Sequence, residues 1–391
     1  MTDQTSFSSP TPLTPPQLDE DRLSWLRLLR SRRVGVATFY RLMAEHGSAG
    51  AALAALPGVA AAAGVTDYTP ADASRAQAEM RAAARFGARM ICRGEPDYPA
   101  ELDRIDNAPP LIWTRGDLTL LSRPMVAMVG ARNASSLGER TARTLARALG
   151  EAGFVVVSGL ARGIDAAAHG AALDSGTIAV LGGGVDVVYP RENNALHGDI
   201  AKRGVLISEQ PMGLAPQARH FPARNRLISG MARGLVVVEA AARSGSLITA
   251  RDAGDQGREV MAVPGHPFDA RASGCNMLIR DGATLVRNAD DVIEVLGAAE
   301  TPAAPRHSMP DVSPTAAPDP QQAAPGPAPR PKDAARLHDT ILERLGPSPI
   351  SEDQLLRDLA LPNGAVSPAL LDLELDGRVL RQPGGLLSLR A

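Results

Sequence analysis

From Trp25 to Gly47 the chain reads WLRLLRSRRVGVATFYRLMAEHG. Apolar residues recur there at helical spacing, and a Val-Gly-Val break divides two amphipathic runs. AALAALPGVAAAAG continues in the same manner, so residues 21–85 are predicted to be wholly helical, a small bundle of the SAM or helix-hairpin-helix type. Such bundles occur as nucleic-acid modules and equally as packing or partner modules. Beyond about residue 105 the period changes. MVAMV (125–129), FVVVS (154–158), TIAVL (177–181), VLIS (205–208), LVVVEA (235–240), EVMAV (259–263) and ATLV (283–286) are short apolar runs, and amphipathic helices separate most of them. Strand–turn–helix repetition of this kind predicts βαβ units and a mostly parallel sheet with helices on both faces.

The polar stretches divide the chain. Residues 1–20 are Ser/Thr/Pro-rich and read as a disordered tail. Residues 301–332 carry ten prolines, which makes 299–332 an extended linker. Residues 333–391 form a last unit: a short helix in HDTILERLG, a second helix capped by Ser351, a leucine-rich third, and two strands around Pro383-Gly384-Gly385. Helix–helix–helix–wing is a winged-helix pattern. Its third helix bears Asp372, Glu374 and Asp376 and no base before Arg378, which favours protein docking over reading of the major groove. The central unit then spans 86–298.

Composition narrows the chemistry. Formal net charge is -2, so any nucleic-acid binding has to use a local patch. Only Lys202 and Lys332 among the 41 basic residues are lysines, and no Gly-Lys-Ser/Thr occurs, which excludes a Walker-type P-loop. Cys92 and Cys275 make neither a disulfide framework nor a metal-binding pair, and no metal or cofactor is expected. The N-terminus lacks the basic and apolar regions of a signal peptide, and no apolar run reaches the roughly 18 residues of a membrane span. The expected location is cytoplasmic, without membrane contact.

Glycine turns follow the predicted strands, where open α/β sheets bind ligands. GARNASSLG supplies Gly130, Arg132 and Ser135; SGLARGID supplies Gly159 and Arg162; GGGVDVVYP supplies Gly182, Gly183 and Gly184; ARSGSLIT supplies Ser244, Gly245 and Ser246. One such loop is as well explained by tight turning, but four on one rim point to an anionic ligand. Asp165, Asp186 and Glu239 are expected to cap helices or orient arginines, and His169 to be structural. GxSxG, HExxH and GxGxxG are all absent, so no enzyme signature is present. HFPARNR (220–226) lies in an acid-free stretch from Gln210 to Val238. In it Phe221 offers a face for base stacking, Arg224 and Arg226 offer guanidinium forks for phosphate, and Asn225 can bond a sugar or base edge. A solvated arginine face of an ordinary helix is the bland alternative.

VGARNASSLG, SGLARGIDAAAH, AVLGGGVDVVYP, SEQPMG, HFPARNRLISG, VVVEAAARSGSLITARDAGDQGREVMAVPG and GCNMLIRDGATLV follow one another in the order of the DNA-processing protein A family (DprA, or Smf), which the chain closely resembles over about residues 96–287. The resemblance implies an α/β fold: a Rossmann-like, mostly parallel sheet flanked by a helical N-terminal domain and a C-terminal winged helix. It implies sequence-independent binding of single-stranded DNA, protection of incoming DNA in natural transformation, assistance in loading the recombinase RecA, and a homodimer that is not an enzyme. The family's DNA pocket maps onto Arg132, Phe221, Arg224, Asn225 and Arg226, with His220 where many members have lysine. Ala131 stands where many have serine. A rival is a nucleotide-processing enzyme of the phosphoribohydrolase (lysine decarboxylase-like) class, but its PGGxGTxxE is replaced here by EAAARSGSLIT. A scaffold whose pocket binds nothing is the third reading.

Overall fold

Strands buried on both faces need continuous apolar runs, and the computed structural model turns those runs into a single sheet. It describes residues 14–299, 331–382 and 385–389; the start of the expected tail, nearly all of the linker and the Pro383–Gly384 turn lie outside the described residues. Four helices come first: α1 (Asp19–Arg30), α2 (Val36–His46), α3 (Ala49–Ala62) and α4 (Ala73–Phe86). Gly47 ends α2 at φ 74°, and the Ser48 hydroxyl caps α3 by accepting from Ala51 N–H. Then come β1 (Arg89–Cys92), α5 (Ala100–Asp103) and β2 (Leu111–Gly116). Strand and helix now alternate: β3 (Met125–Val129), α6 (Ser136–Glu151), β4 (Val155–Ser158), α7 (Ile164–Ala172), β5 (Thr177–Val180), α8 (Asn194–Arg203), β6 (Val205–Ser208), α9 (His220–Met231), β7 (Gly234–Val237), α10 (Ser246–Asp255), β8 (Glu259–Ala262), α11 (Ser273–Arg280), β9 (Thr284–Leu285) and α12 (Ala289–Leu296).

The sheet has the order β1-β2-β6-β5-β4-β3-β7-β8-β9. From β6 to β9 every pairing is parallel, while β1 and β2 add an antiparallel edge that the pattern of apolar runs did not announce. The chain starts the parallel sheet at β3, builds outward through β4, β5 and β6, and then crosses back to lay β7 on the other side of β3. The strand order therefore reverses at β3, and the crevice beyond its carboxyl end is where an open α/β sheet binds ligands.

Alternate side chains of the strands feed different faces. Ala127, Val129, Val155, Val157 and Val237 pack with Leu227, Ile228 and Met231 of α9 and Ala250 of α10. Val126, Met128, Val156 and Val236 pack on the opposite face with Leu145 and Leu149 of α6 and Val292 of α12. The helical N-terminal unit is not a loose appendage: Trp25, Phe39, Leu42 and Leu53 share one core with Trp113 of β2 and Leu206 of β6. Both cysteines are buried and their thiols are pushed up to about 12 by burial.

The C-terminal unit comprises α13 (Pro331–Arg344), β10 (Ile350–Ser351), α14 (Glu352–Leu359), α15 (Asn363–Leu375), β11 (Val379–Gln382) and β12 (Leu386–Leu389), a winged helix in which Ser351 caps α14 as expected. Leu371 and Leu375 of α15 are exposed, and Arg381 is tied to Glu352 and Glu374. The unit sits against the start of α6: Arg344 donates to Ala134 O at 3.3 Å and pairs with Glu139, while Arg271 donates to the carbonyls of Glu343 and Leu345 at 2.6 Å each. Among the described residues no helix is long and apolar enough to cross a membrane.

Candidate nucleic-acid interface

The turns after β3, β4, β5 and β7 converge on a groove with two lobes. The first, about 680 Å³, has Gly159, Gly182 and Gly183 along its floor. The second, about 880 Å³, runs over Gly130 and Asn133 to Ser244, Gly245 and Ser246. Arg132, Ala161, Tyr189, Pro216, Phe221 and Arg224 line both lobes and so form the partition. Volumes of this size are typical of ligand sites.

Helix α9 carries the motif HFPARNR at its start, with Pro222 in the first turn, where its missing N–H costs nothing. Phe221, Arg224, Asn225 and Ile228, at i, i+3, i+4 and i+7, all line the second lobe. Arg226 stands about 200° round the helix from Arg224. It lies outside both lobes and pairs with Glu209 at 2.6 Å, the two side chains each 14% exposed. Helix geometry thus places Arg226 off the groove in which a phosphate contact was expected of it. His220 also stays off the groove, its ring accepting from Gln217 N–H at 3.2 Å.

Arg224 is a second correction. It is buried, at 5% exposure, and not a free fork on the surface. Its Nη1 donates to Gly159 O at 2.8 Å and also to Val180 O, tying the turns after β4 and β5 together from below. Burial lowers its pKa to about 10, against the opposing pull of the nearby Asp165 carboxylate. Phe221 is the third. Its ring is half-buried and already has neighbours: the Arg132 guanidinium 5.3 Å from its centroid, the Tyr189 ring at 5.4 Å, and Gly182, where an added Cβ would meet ring carbons at 3.1 Å. The ring is thus partly covered, though it still lines both lobes.

Of the turn residues, Gly130, Gly159, Arg162, Gly182, Gly183, Ser244, Gly245 and Ser246 do line the groove. Ser135 does not: it is the N-cap of α6, its N–H held by Glu239 at 2.9 Å. Gly184 is turned away against Pro211 and Gly213, beside the Asp186 carboxylate that accepts from Gly213 N–H. The sequence reading missed Tyr189, Arg191, Arg243 and Arg271. Each lies on a loop at the carboxyl rim, so position on the rim was the signal available. In total six arginines and two carboxylates, Asp165 and Glu192, line the two lobes. A chain of net charge -2 has concentrated positive charge in one groove. Arg132 is exposed there, while Arg271 is shared with Glu239 and Asp269 as well as with the winged helix.

Beneath the floor lies a buried polar layer. Asp165 accepts from Gly159 N–H and Ala161 N–H, and burial raises its pKa. Leu160 sits at φ 54°, a conformation rare outside glycine. His169 holds it there. The Thr177 hydroxyl donates to Val156 O, so it accepts from His169 Nδ1–H at 2.7 Å, and Nε2 accepts from Leu160 N–H at 3.3 Å. Protonation would put a donor against that N–H, and burial holds the pKa down to about 3. A folded-state pKa below the unfolded value means the unfolded chain binds the extra proton, so this contribution is lost as pH falls from about 6.5 towards 3; Asp165 works in the opposite sense. His169→Gln should therefore flatten the fall in Tm between about pH 7 and pH 5, measured by calorimetry, relative to the parent. Parallel acid profiles would show that His169 is not the titrating group.

An open, mostly parallel sheet with an arginine-lined groove at its switch point, a helical unit packed on one face and a winged helix beside the rim defines a three-part Rossmann-like class of protein. Residues 89–297 match the family described as DNA recombination-mediator protein A, residues 19–82 the DprA-like N-terminal HHH domain, and residues 314–385 the DprA winged helix domain. The chain belongs to the DNA recombination-mediator protein A (DprA/Smf) family of DNA-processing proteins, whose description is that of a mediator and not of an enzyme. It is 47% identical over 198 residues to DNA processing protein DprA of Streptococcus pneumoniae, covering 50% of this chain and 70% of that one. It is 37% identical over 315 residues to protein Smf of Synechocystis, covering 76% and 79%. Among solved structures, DprA of S. pneumoniae aligns with TM-score 0.54 at 41% identity, over 57% of this chain and 77% of that one. DprA of Helicobacter pylori, from a study of that protein's single-stranded DNA binding mode, aligns with TM-score 0.50 at 30% identity, over 54% and 95%.

Proposed function

We propose that this protein binds single-stranded DNA, without sequence preference, in the two-lobed groove, and that it protects incoming DNA and assists RecA loading in recombination and natural transformation. The observation that carries this reading is the groove itself: six arginines against two carboxylates, with an aromatic partition, at the rim of a sheet. Phosphates meet guanidinium forks and glycine-turn N–H groups, and bases splay into the lobes. A stiff duplex cannot fold its bases into cavities of this size. The likeness to the H. pylori protein supports the choice of single strands. The homodimer and the cytoplasmic location belong to the same proposal.

The test is filter binding of the full chain with oligo-dT, with duplex of equal length and with a panel of nucleoside monophosphates. Single strands should bind at least about tenfold more tightly than duplex, as stacking and splayed bases require. Equal affinity for both would leave only non-specific charge. Retention of a monophosphate with no oligonucleotide binding would favour a nucleotide-processing site. Faster RecA filament growth on single strands in the presence of this protein would support the mediator role, and no change would refute it.

A further inference from the structure

The partition between the lobes singles out one side chain that neither the sequence motifs nor the family match assigns, and the inference rests on the single-strand reading above. Tyr189 lies on the loop after β5 and Phe221 opens α9; their ring planes are inclined by 37°. Phe221 has Arg132, Tyr189 and Gly182 around its ring. Tyr189 is 48% exposed and lines both lobes. Of the two rings, it is the more exposed where a strand passing from lobe to lobe would cross.

We propose that Tyr189, and not Phe221, is the ring on which a nucleobase of single-stranded DNA stacks at the partition, with Phe221 and Arg132 as the support that sets its plane. The assignment gives a purpose to the guanidinium that lies over a half-buried phenylalanine. A cation over an aromatic face uses the face of the guanidinium and leaves its in-plane N–H groups available. Arg132 can thus brace the ring pair and hold the phosphate of the same nucleotide. Base stacking on Tyr189 tolerates every base, as sequence-independent binding requires. It adds no charge, so it contributes nothing to the salt dependence.

The experiment measures oligo-dT binding by the full chain. Tyr189→Ala should weaken it roughly 5- to 100-fold, the loss of one stacked base, with an unchanged salt slope. Tyr189→Phe should restore affinity to within about twofold of the parent, since a phenyl ring stacks as a phenol does. Tyr189→Trp should give a fluorophore that oligo-dT quenches; the native Trp25 and Trp113, buried at 3% and 2% exposure and outside both lobes, give a constant background. Parental affinity in Tyr189→Ala, or an unquenched tryptophan in a Tyr189→Trp variant that still binds, would overturn the assignment alone. If the parent itself fails to bind oligo-dT, the single-strand reading falls and the assignment with it.

Discussion

Arg224→Ala lowers the melting temperature of this protein by about 6–12 °C. The guanidinium is buried under Gly159, donates to the carbonyls of Gly159 and Val180, and lies within the field of the buried Asp165 carboxylate. Truncation removes these bonds together and leaves a buried carboxylate without its counter-charge. Hydrogen bonds from charged groups contribute about 1.5–3 kcal/mol. Breaking a buried charge pair from one side costs about 3–5 kcal/mol. A loss of about 3 kcal/mol, at about 2–4 °C per kcal/mol for a unit of some 200 residues, gives the stated shift. Calorimetry of the variant is the check. A Tm within about 2 °C of the parent would mean that the arginine does not tie the two turns. The same change should also weaken DNA binding, but through a collapsed floor; binding therefore has to be measured well below the variant's own transition.

Arg132→Ala is the complementary case, with affinity lost and stability kept. Arg132 is exposed, lines both lobes and stacks on Phe221. Exposed charges contribute little to folding, so its Tm should stay within about 2 °C of the parent. Losing one charge-assisted contact should weaken oligo-dT binding by about tenfold or more. It should also flatten the log–log salt dependence by about 0.7, the share of one phosphate on a single strand. Arg226→Ala should leave both affinity and slope unchanged, because its guanidinium lies outside both lobes and pairs with Glu209. If Arg226→Ala shifts the slope and Arg132→Ala does not, the strand runs on the other side of α9 and the groove is not the site.

The three arginines of this comparison show where reading the chain ends. The alternation of valine-rich runs with amphipathic helices was enough for the parallel sheet, since strands covered on both faces can hardly be polar. Glycine turns after those runs marked the rim, and Ser351 marked a helix start, because turns and caps are local chemistry that neighbouring residues decide. Helical periodicity in HFPARNR already separates Arg224 from Arg226 by about 200°, so both could not face one groove. Which of them faces it was decided by Glu209, seventeen residues back and brought alongside only by folding. Burial of Arg224 came from the carbonyls of two other strand ends, and the covered face of Phe221 from Gly182 and from Arg132 on a third loop. Tyr189 gained its place at the partition in the same way. The antiparallel edge escaped because neither β1 (RMIC) nor β2 (LIWTRG) is a continuous apolar run, and the two pair only with each other and with β6. The sequence by itself determined the periodicities, the turns, the family and the rim on which a ligand would bind. Only the tertiary structure decided which charges remain free to meet it, because a guanidinium's partners are set by contacts between residues far apart in the chain.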